Sequence, residues 1–208
     1  MEKQMLPDFF SFNRSSDHAL ITTEELNWEG PFSWNGYGKC DHLDDVHDIA
    51  GVYLFTFEYQ DGYILRSVGV SNSIKKRISQ HTREYKKGNY TILNVESAKE
   101  GIRKEIWHGW SYAKKNIDQF NLHKDDMLLA VDKELAAYRL FTASVSDKRK
   151  RERIEFSIMH HVYGSKEPWS DLVDGGMYLI GRSNYDIPVI INNKCMHKIY
   201  GLAESLEV

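Results

Sequence analysis

Arg77 and His81 stand one helical turn apart in SVGVSNSIKKRISQH, residues 67–81. A permanent cation beside an imidazole can brace an anion and accept a proton. Ile74, Ile78, His81 and Tyr85 recur at helical spacing, so one face should turn inward with His81 on it and Arg77 at its edge. A buried, satisfied histidine and a surface arginine would give the same pattern. A second anomaly lies in DKRKRERIEFSIMHHVY, residues 147–163. At about 100° per residue, Ile154, Ile158, Met159 and Val162 fill one arc, and Glu155 falls inside it. A carboxylate there is desolvated unless it has a partner, either a neighbouring arginine or a hard cation bound through oxygen. Cys40, His42, His47 and Asp48 are metal-capable but fit no compact zinc spacing. Trp107 and Trp110 are aromatic enough to stack on bases, although core packing is the preferred reading.

The elements around these residues set their positions. GVYLFTFEY from Gly51 is β-branched and aromatic, a strand. Asp61-Gly62 is a tight-turn signal, and YILRSVGV after it predicts a hairpin over 51–70. Ser71 or Asn72 is expected to cap a helix from about 73 to 87, with Gly88 as its stop. Residues 89–132 read as a second helical region. ELAAYRLFTASV, residues 134–145, is ambiguous at its start and strand-like at its end. Ser146 is expected to cap the helix that carries Glu155 and ends at Gly164. MYLI and PVIIN, joined by GRSNYDI, look like a terminal hairpin, and the first 50 residues look irregular apart from one short helix.

Composition excludes several classes. The chain has 208 residues, 41% hydrophobic and 27% charged, which suits a globular protein. No apolar run reaches the roughly 18 residues of a membrane span, so no membrane partner is expected. No signal-peptide pattern opens the chain. Two distant cysteines, Cys40 and Cys195, suit a reducing, cytoplasmic setting. The net charge of -3 conceals segregation: residues 1–50 hold ten acids and three Lys or Arg, whereas 63–115 hold twelve Lys or Arg and four acids. With the KRKRER run at 148–153, this predicts a one-sided positive field suited to a polyanion.

Taken together, the pieces resemble a GIY-YIG nuclease. Gly51-Val52-Tyr53 resembles the first signature tripeptide, and Ser67-Val68-Gly69 stands where the second belongs. Arg77 and His81 match the next block, and Glu155 the family's metal-binding glutamate. The resemblance implies an α+β fold, a small mainly antiparallel sheet with flanking helices, in a single domain over 1–208. Its core would span about 50–88 and 134–164, with a helical insertion at 89–132. An N-terminal extension would cover 1–49, and a C-terminal hairpin and tail 165–208. It also implies divalent-metal-dependent cleavage of DNA, expected to be double-stranded, by a stand-alone, restriction-like endonuclease. Tyr53 and His81 would activate water, Arg77 would stabilise the phosphate, and Glu155 would hold one Mg²⁺ or Mn²⁺. Arg66, Asn72, Lys75, Lys76, Lys99, Arg103 and Lys104 would face DNA, and five such contacts would give a log–log salt slope of roughly -4 to -5. A homodimer is left open.

Two departures stand out. Ser67 replaces the second signature tyrosine, with Tyr63 expected on the same strand face as a substitute. The asparagine often found near a proline after the glutamate is missing, because Pro168 is followed by Trp-Ser-Asp and the next asparagine is Asn184. The alternatives are a weak or inactive nucleic-acid-binding module on the same fold, and an unrelated α+β protein that binds an acidic partner.

Overall fold

A computed structural model describes residues 21–175 and 178–208. In chain order the elements are β1 (Thr22–Ser33), α1 (Gly38–Asp41), β2 (Gly51–Tyr59), β3 (Gly62–Ser71), α2 (Ile74–Lys86), β4 (Ile92–Leu93), α3 (Val95–Lys99) and β5 (Glu105–Trp107). Then follow α4 (Trp110–Leu122), α5 (Lys124–Ala137), β6 (Arg139–Ser144), α6 (Lys148–Gly164), α7 (Pro168–Leu172), β7 (Val189–Cys195), β8 (Ile199–Tyr200) and β9 (Ser205–Glu207). A seven-stranded sheet runs β8-β3-β2-β6-β1-β7-β9, and β4 pairs with β5 in a second, two-stranded sheet. The main sheet is mostly antiparallel; β1 with β7 and β3 with β8 are its parallel pairs. The α+β class and mainly antiparallel pairing hold, but the sheet is large rather than small.

Three elements depart from the sequence expectation. The N-terminal region contains a twelve-residue strand, β1, instead of irregular chain. Its register slips around Gly30-Pro31, between Glu29 and Phe32, and proline inside a strand is a signal against strand. The terminal hairpin is absent: Tyr178 to Ile180 form no strand, and Met177 lies outside the described residues. β7 instead pairs with β1 and β9. The region after Gly88 is not all helical, because β4 and β5 interrupt it, and α5 runs on to Ala137.

Each face of the sheet holds a core. On one, Tyr53, Phe55, Phe57 and Ile64 pack with Ile74, Ile78 and Tyr85 of α2 and with Trp34, Leu135 and Tyr138. On the other, Val52, Leu54, Leu65, Val68 and Phe141 pack with Ile154, Ile158, Met159 and Val162 of α6. Ile74 and Ile78 are fully buried, each contributing roughly 1.5–3 kcal/mol by area and fixing which side of α2 faces the hairpin. The Ser73 hydroxyl accepts from Lys76 N and caps α2, while Ser71 bonds both backbone groups of Ser73. Asp147, rather than Ser146, caps α6. Beneath α2, the buried Glu134 carboxylate accepts from Leu93 N at 3.0 Å and Tyr138 Oη at 2.7 Å. Burial pushes its pKa up to about 7. Its two hydrogen bonds fasten α5 to β4.

Candidate active site at the edge of the hairpin

The site begins with a glycine. Tyr53 of β2 lies opposite Gly69 of β3, and its ring crosses the space a side chain would fill. A Cβ at Gly69 would stand 2.2 Å from Tyr53 Oη and 2.3 Å from Cζ. The ring therefore reaches across β3, which β8 pairs only at Tyr63 and Ile64. Beyond those residues the β3 edge has no strand partner among the described residues. At such an edge, groups carried on opposite faces of the sheet can meet.

Four more side chains converge there. His81 Nε2 lies 2.8 Å from Tyr53 Oη. The imidazole is ringed by Phe55 at 5.2 Å and Tyr90 at 5.4 Å between centroids. Burial first, and the Arg77 cation second, lower its pKa to about 3. Tyr53 is 3% exposed. Burial raises its phenol to about 12, against the opposing pull of Arg77. Both groups are thus neutral at pH 7. Arg77 donates to Gln80 Oε1 at 2.8 Å, and its Nε is buried without a partner. It interacts electrostatically with Tyr53, Tyr90 and Glu155.

Glu155 comes from α6 on the opposite face. Arg151, one turn earlier, donates to Asn72 and so ties α6 to the turn that leads into α2. The Glu155 carboxylate is half-buried. Burial lifts its pKa to about 7, Arg77 opposes that rise, and Glu152 adds to it. Among the described residues it has no hydrogen bond or ion pair, so the simple salt-bridge reading of this acid does not apply. Tyr90, which the sequence did not single out, completes the cluster; its phenol pKa is raised by burial and lowered by Arg77. A signal existed, since Tyr90 follows directly on the Gly88-Asn89 turn that closes α2.

Ser67 is half-buried opposite Phe55 on the Tyr53 face. Tyr63 is not on that face. The register passes from Phe55–Ser67 to Thr56–Leu65, leaving Arg66 as an extra residue. One inserted residue reverses the alternation, so Tyr63 packs against Phe141 and His197 in the other core. It cannot substitute for a phenol at position 67. If the nuclease expectation holds, Ser67→Tyr should therefore bring no gain in rate and a loss through crowding of Phe55 and Tyr53, read as single-turnover cleavage beside the unsubstituted protein.

The expected DNA-facing set is smaller in three dimensions. Arg66 is 2% exposed and paired with Asp174 at 3.1 Å, so it is withdrawn from any outside ligand. Arg103 donates to the carbonyls of Asp171, Leu172 and Val173 and pairs with Glu105 and Asp174. It closes the end of α7. Asn72 is held by Arg151, and Lys99 pairs with Glu58 at 3.6 Å. Lys75, Lys76 and Lys104 remain exposed, with no ion pair among the described residues. The cations of the KRKRER run are likewise paired or bonded, although Lys148 stays largely exposed. Arg149 pairs with Asp186, Lys150 with Glu24 and Lys148 with Glu152, while Arg151 and Arg153 donate to buried carbonyls.

Among the described residues, no three His, Cys, Asp or Glu side chains converge as a metal cluster. Cys40 and Cys195 are both free thiols, and Asp48 accepts a bond from Ser73. Asn184 is exposed in the loop before β7, and Pro168 opens α7. Trp107 is buried, as expected, but Trp110 is not. Among the described residues no helix is long and apolar enough to cross a membrane. No family model, no curated protein and no solved structure matches the chain.

Proposed function

We propose that the protein is a divalent-metal-dependent phosphodiesterase of the GIY-YIG kind, a DNA endonuclease. The observation that carries this reading is the convergence of Tyr53, His81, Arg77 and Glu155 on one open strand edge, with Tyr53 and His81 2.8 Å apart. Hydrolysis of a phosphodiester needs a proton acceptor for water and a cation against the phosphorane oxygens. With Nε2 unprotonated, neutral His81 accepts from the Tyr53 hydroxyl. Water can then give its proton to Tyr53 Oη as that hydroxyl passes its own to His81. A pKa near 3 makes His81 a weak acceptor in the free protein. A phosphate bound at Arg77 offsets that cation and raises the basicity of the imidazole. Arg77 keeps its charge throughout and braces the non-bridging oxygens.

Glu155 fits a hard cation. Among the described residues it makes no hydrogen bond or ion pair, Arg77 acts on it only electrostatically, and its burial disfavours the charge that a divalent ion would restore. A single carboxylate matches the habit of Mg²⁺ to keep waters and take further oxygens from substrate. When bound, the cation would stabilise charge on the leaving 3′ oxygen.

The test is incubation of pure protein with supercoiled plasmid and Mg²⁺ or Mn²⁺, with an EDTA control. Metal-dependent nicking supports the reading, and intact plasmid at high protein sinks it. Salt dependence adds a second check. If Lys75, Lys76 and Lys104 are the phosphate contacts, the log–log slope on duplex DNA should be roughly -3. That is shallower than the composition alone suggests. Neutralising Lys75 and Lys76 together should flatten it by up to about two units, measured by fluorescence anisotropy. A slope unaltered by that double change would move the DNA to another face.

A further inference from the structure

Trp110 opens α4, directly after its N-cap Gly109, and its ring packs on Tyr90. Gly109 lies so close to the neighbouring backbone that a Cβ there would stand 2.4 Å from Thr91 N. Its amide donates to Thr91 Oγ1 at 3.2 Å, and Trp110 N donates to Asn89 O at 2.8 Å. Trp110 itself takes φ +58°, a left-handed conformation that a bulky residue adopts only where its surroundings hold it there. Its ring meets Tyr90 at 5.1 Å, and Tyr90 meets His81 at 5.4 Å. Its indole Nε1 donates to Asp174 Oδ2 at 3.0 Å, and Asp174 is itself held by Arg66 and Arg103. The side chain is thus fixed at its backbone and at its indole N–H. Even so, 45% of the residue stays exposed. Lys114, one helical turn on along the same face, is exposed as well.

From this geometry we infer that Trp110 is a stacking platform for an unpaired nucleobase beside the scissile phosphate. The inference rests on the nuclease reading above and narrows its substrate to DNA with an unpaired base at the cleavage site. A rigid, exposed indole two ring contacts from the proton acceptor offers a π-face at small entropic cost. A base buried in a paired duplex has no free face to place on it. Stacking on an aromatic side chain is tolerant of base identity and strong enough to set a preference. Lys114 lies where it can meet a phosphate flanking the stacked nucleotide.

The test uses Glu155→Gln protein, so that DNA stays uncut, and two duplexes that differ only in one unpaired 2-aminopurine. Glu155→Gln should bind the bulged duplex about tenfold more tightly than the paired one. The 2-aminopurine fluorescence should be quenched on binding. Adding Trp110→Ala should cut that ratio of affinities about tenfold and restore the fluorescence. Trp110→Phe, which keeps a ring but not the N–H to Asp174, should retain most of the preference. Equal affinity for the two duplexes, or a preference that survives Trp110→Ala, overturns the inference and leaves the nuclease reading intact. Failure to bind either duplex overturns the nuclease reading, and the inference with it.

Discussion

Replacing Glu155 with glutamine should lower metal-dependent cleavage by at least ~10³-fold, since a metal's stabilisation of a leaving oxygen is worth several kcal/mol. The same change should stabilise the fold. The pKa of Glu155 is raised to about 7 in the native protein, above the usual unfolded value near 4.3. The folded state therefore holds this proton more tightly than the unfolded chain. The acid costs nothing below about pH 4, and its cost grows as pH rises toward 7 and is complete above it. Glutamine stays neutral and avoids that cost. The gain should be on the order of 1–2 kcal/mol at pH 8, after allowance for partial exposure of the side chain, and close to zero at pH 4. Thermal melts of both proteins at the two pH values measure this directly. Saturating Mn²⁺ should raise the Tm of the unsubstituted protein at pH 8 and leave that of Glu155→Gln unmoved. A Glu155→Gln protein that cleaves at full rate would remove the residue from the metal site. Equal Mn²⁺ shifts in both proteins would do the same.

Tyr53→Phe should cost ~10²–10⁴ in single-turnover rate, the usual reach of a positioned acid or base. It removes the hydroxyl that pairs with His81, the group proposed to relay the water's proton, while leaving the ring in place. Gly69→Ala should be nearly as severe by a different route. The new methyl group would stand 2.2 Å from the phenol oxygen, far inside contact distance, so the ring must turn away or the strands must part. The two substitutions touch one object, and their effects should not add. Gly69→Ala placed on Tyr53→Phe should lower the rate by much less than it does alone. Rates at matched folded concentration, checked by circular dichroism, decide the matter. A Gly69→Ala protein with normal activity would mean that the phenol does not act from the position it holds over β3. An active Tyr53→Phe protein would hand the relay to another hydroxyl, and Tyr90, beside both His81 and Arg77, is the next to test.

The sequence by itself determined the local elements around the site. The hairpin over Gly51 to Ser71 is visible because β-branched and aromatic runs flank a tight turn. The helix after it is visible because isoleucines recur at helical spacing and end at a glycine. The inward position of His81 and the place of Glu155 in an apolar arc follow from the same 3.6-residue period. None of these depends on a distant partner. What only the tertiary structure decided depends on such partners. β1 is an unpromising strand, with a proline and four acids or amides in twelve residues, and it exists because β6 and β7 pair with it from more than a hundred residues away. The extra residue at Arg66 reverses the strand alternation and sends Tyr63 to the wrong core, and no local signal marks that slip. The basic residues that look like a polyanion surface divide by burial. Arg66, Arg103 and Arg151 are drawn in because Asp174, the end of α7 and the Val145 and Ser146 carbonyls need donors, while Lys75 and Lys76 stay in water. Composition counts charges, but only packing decides which of them keep a free face, because a buried cation must find its counter-group inside the protein.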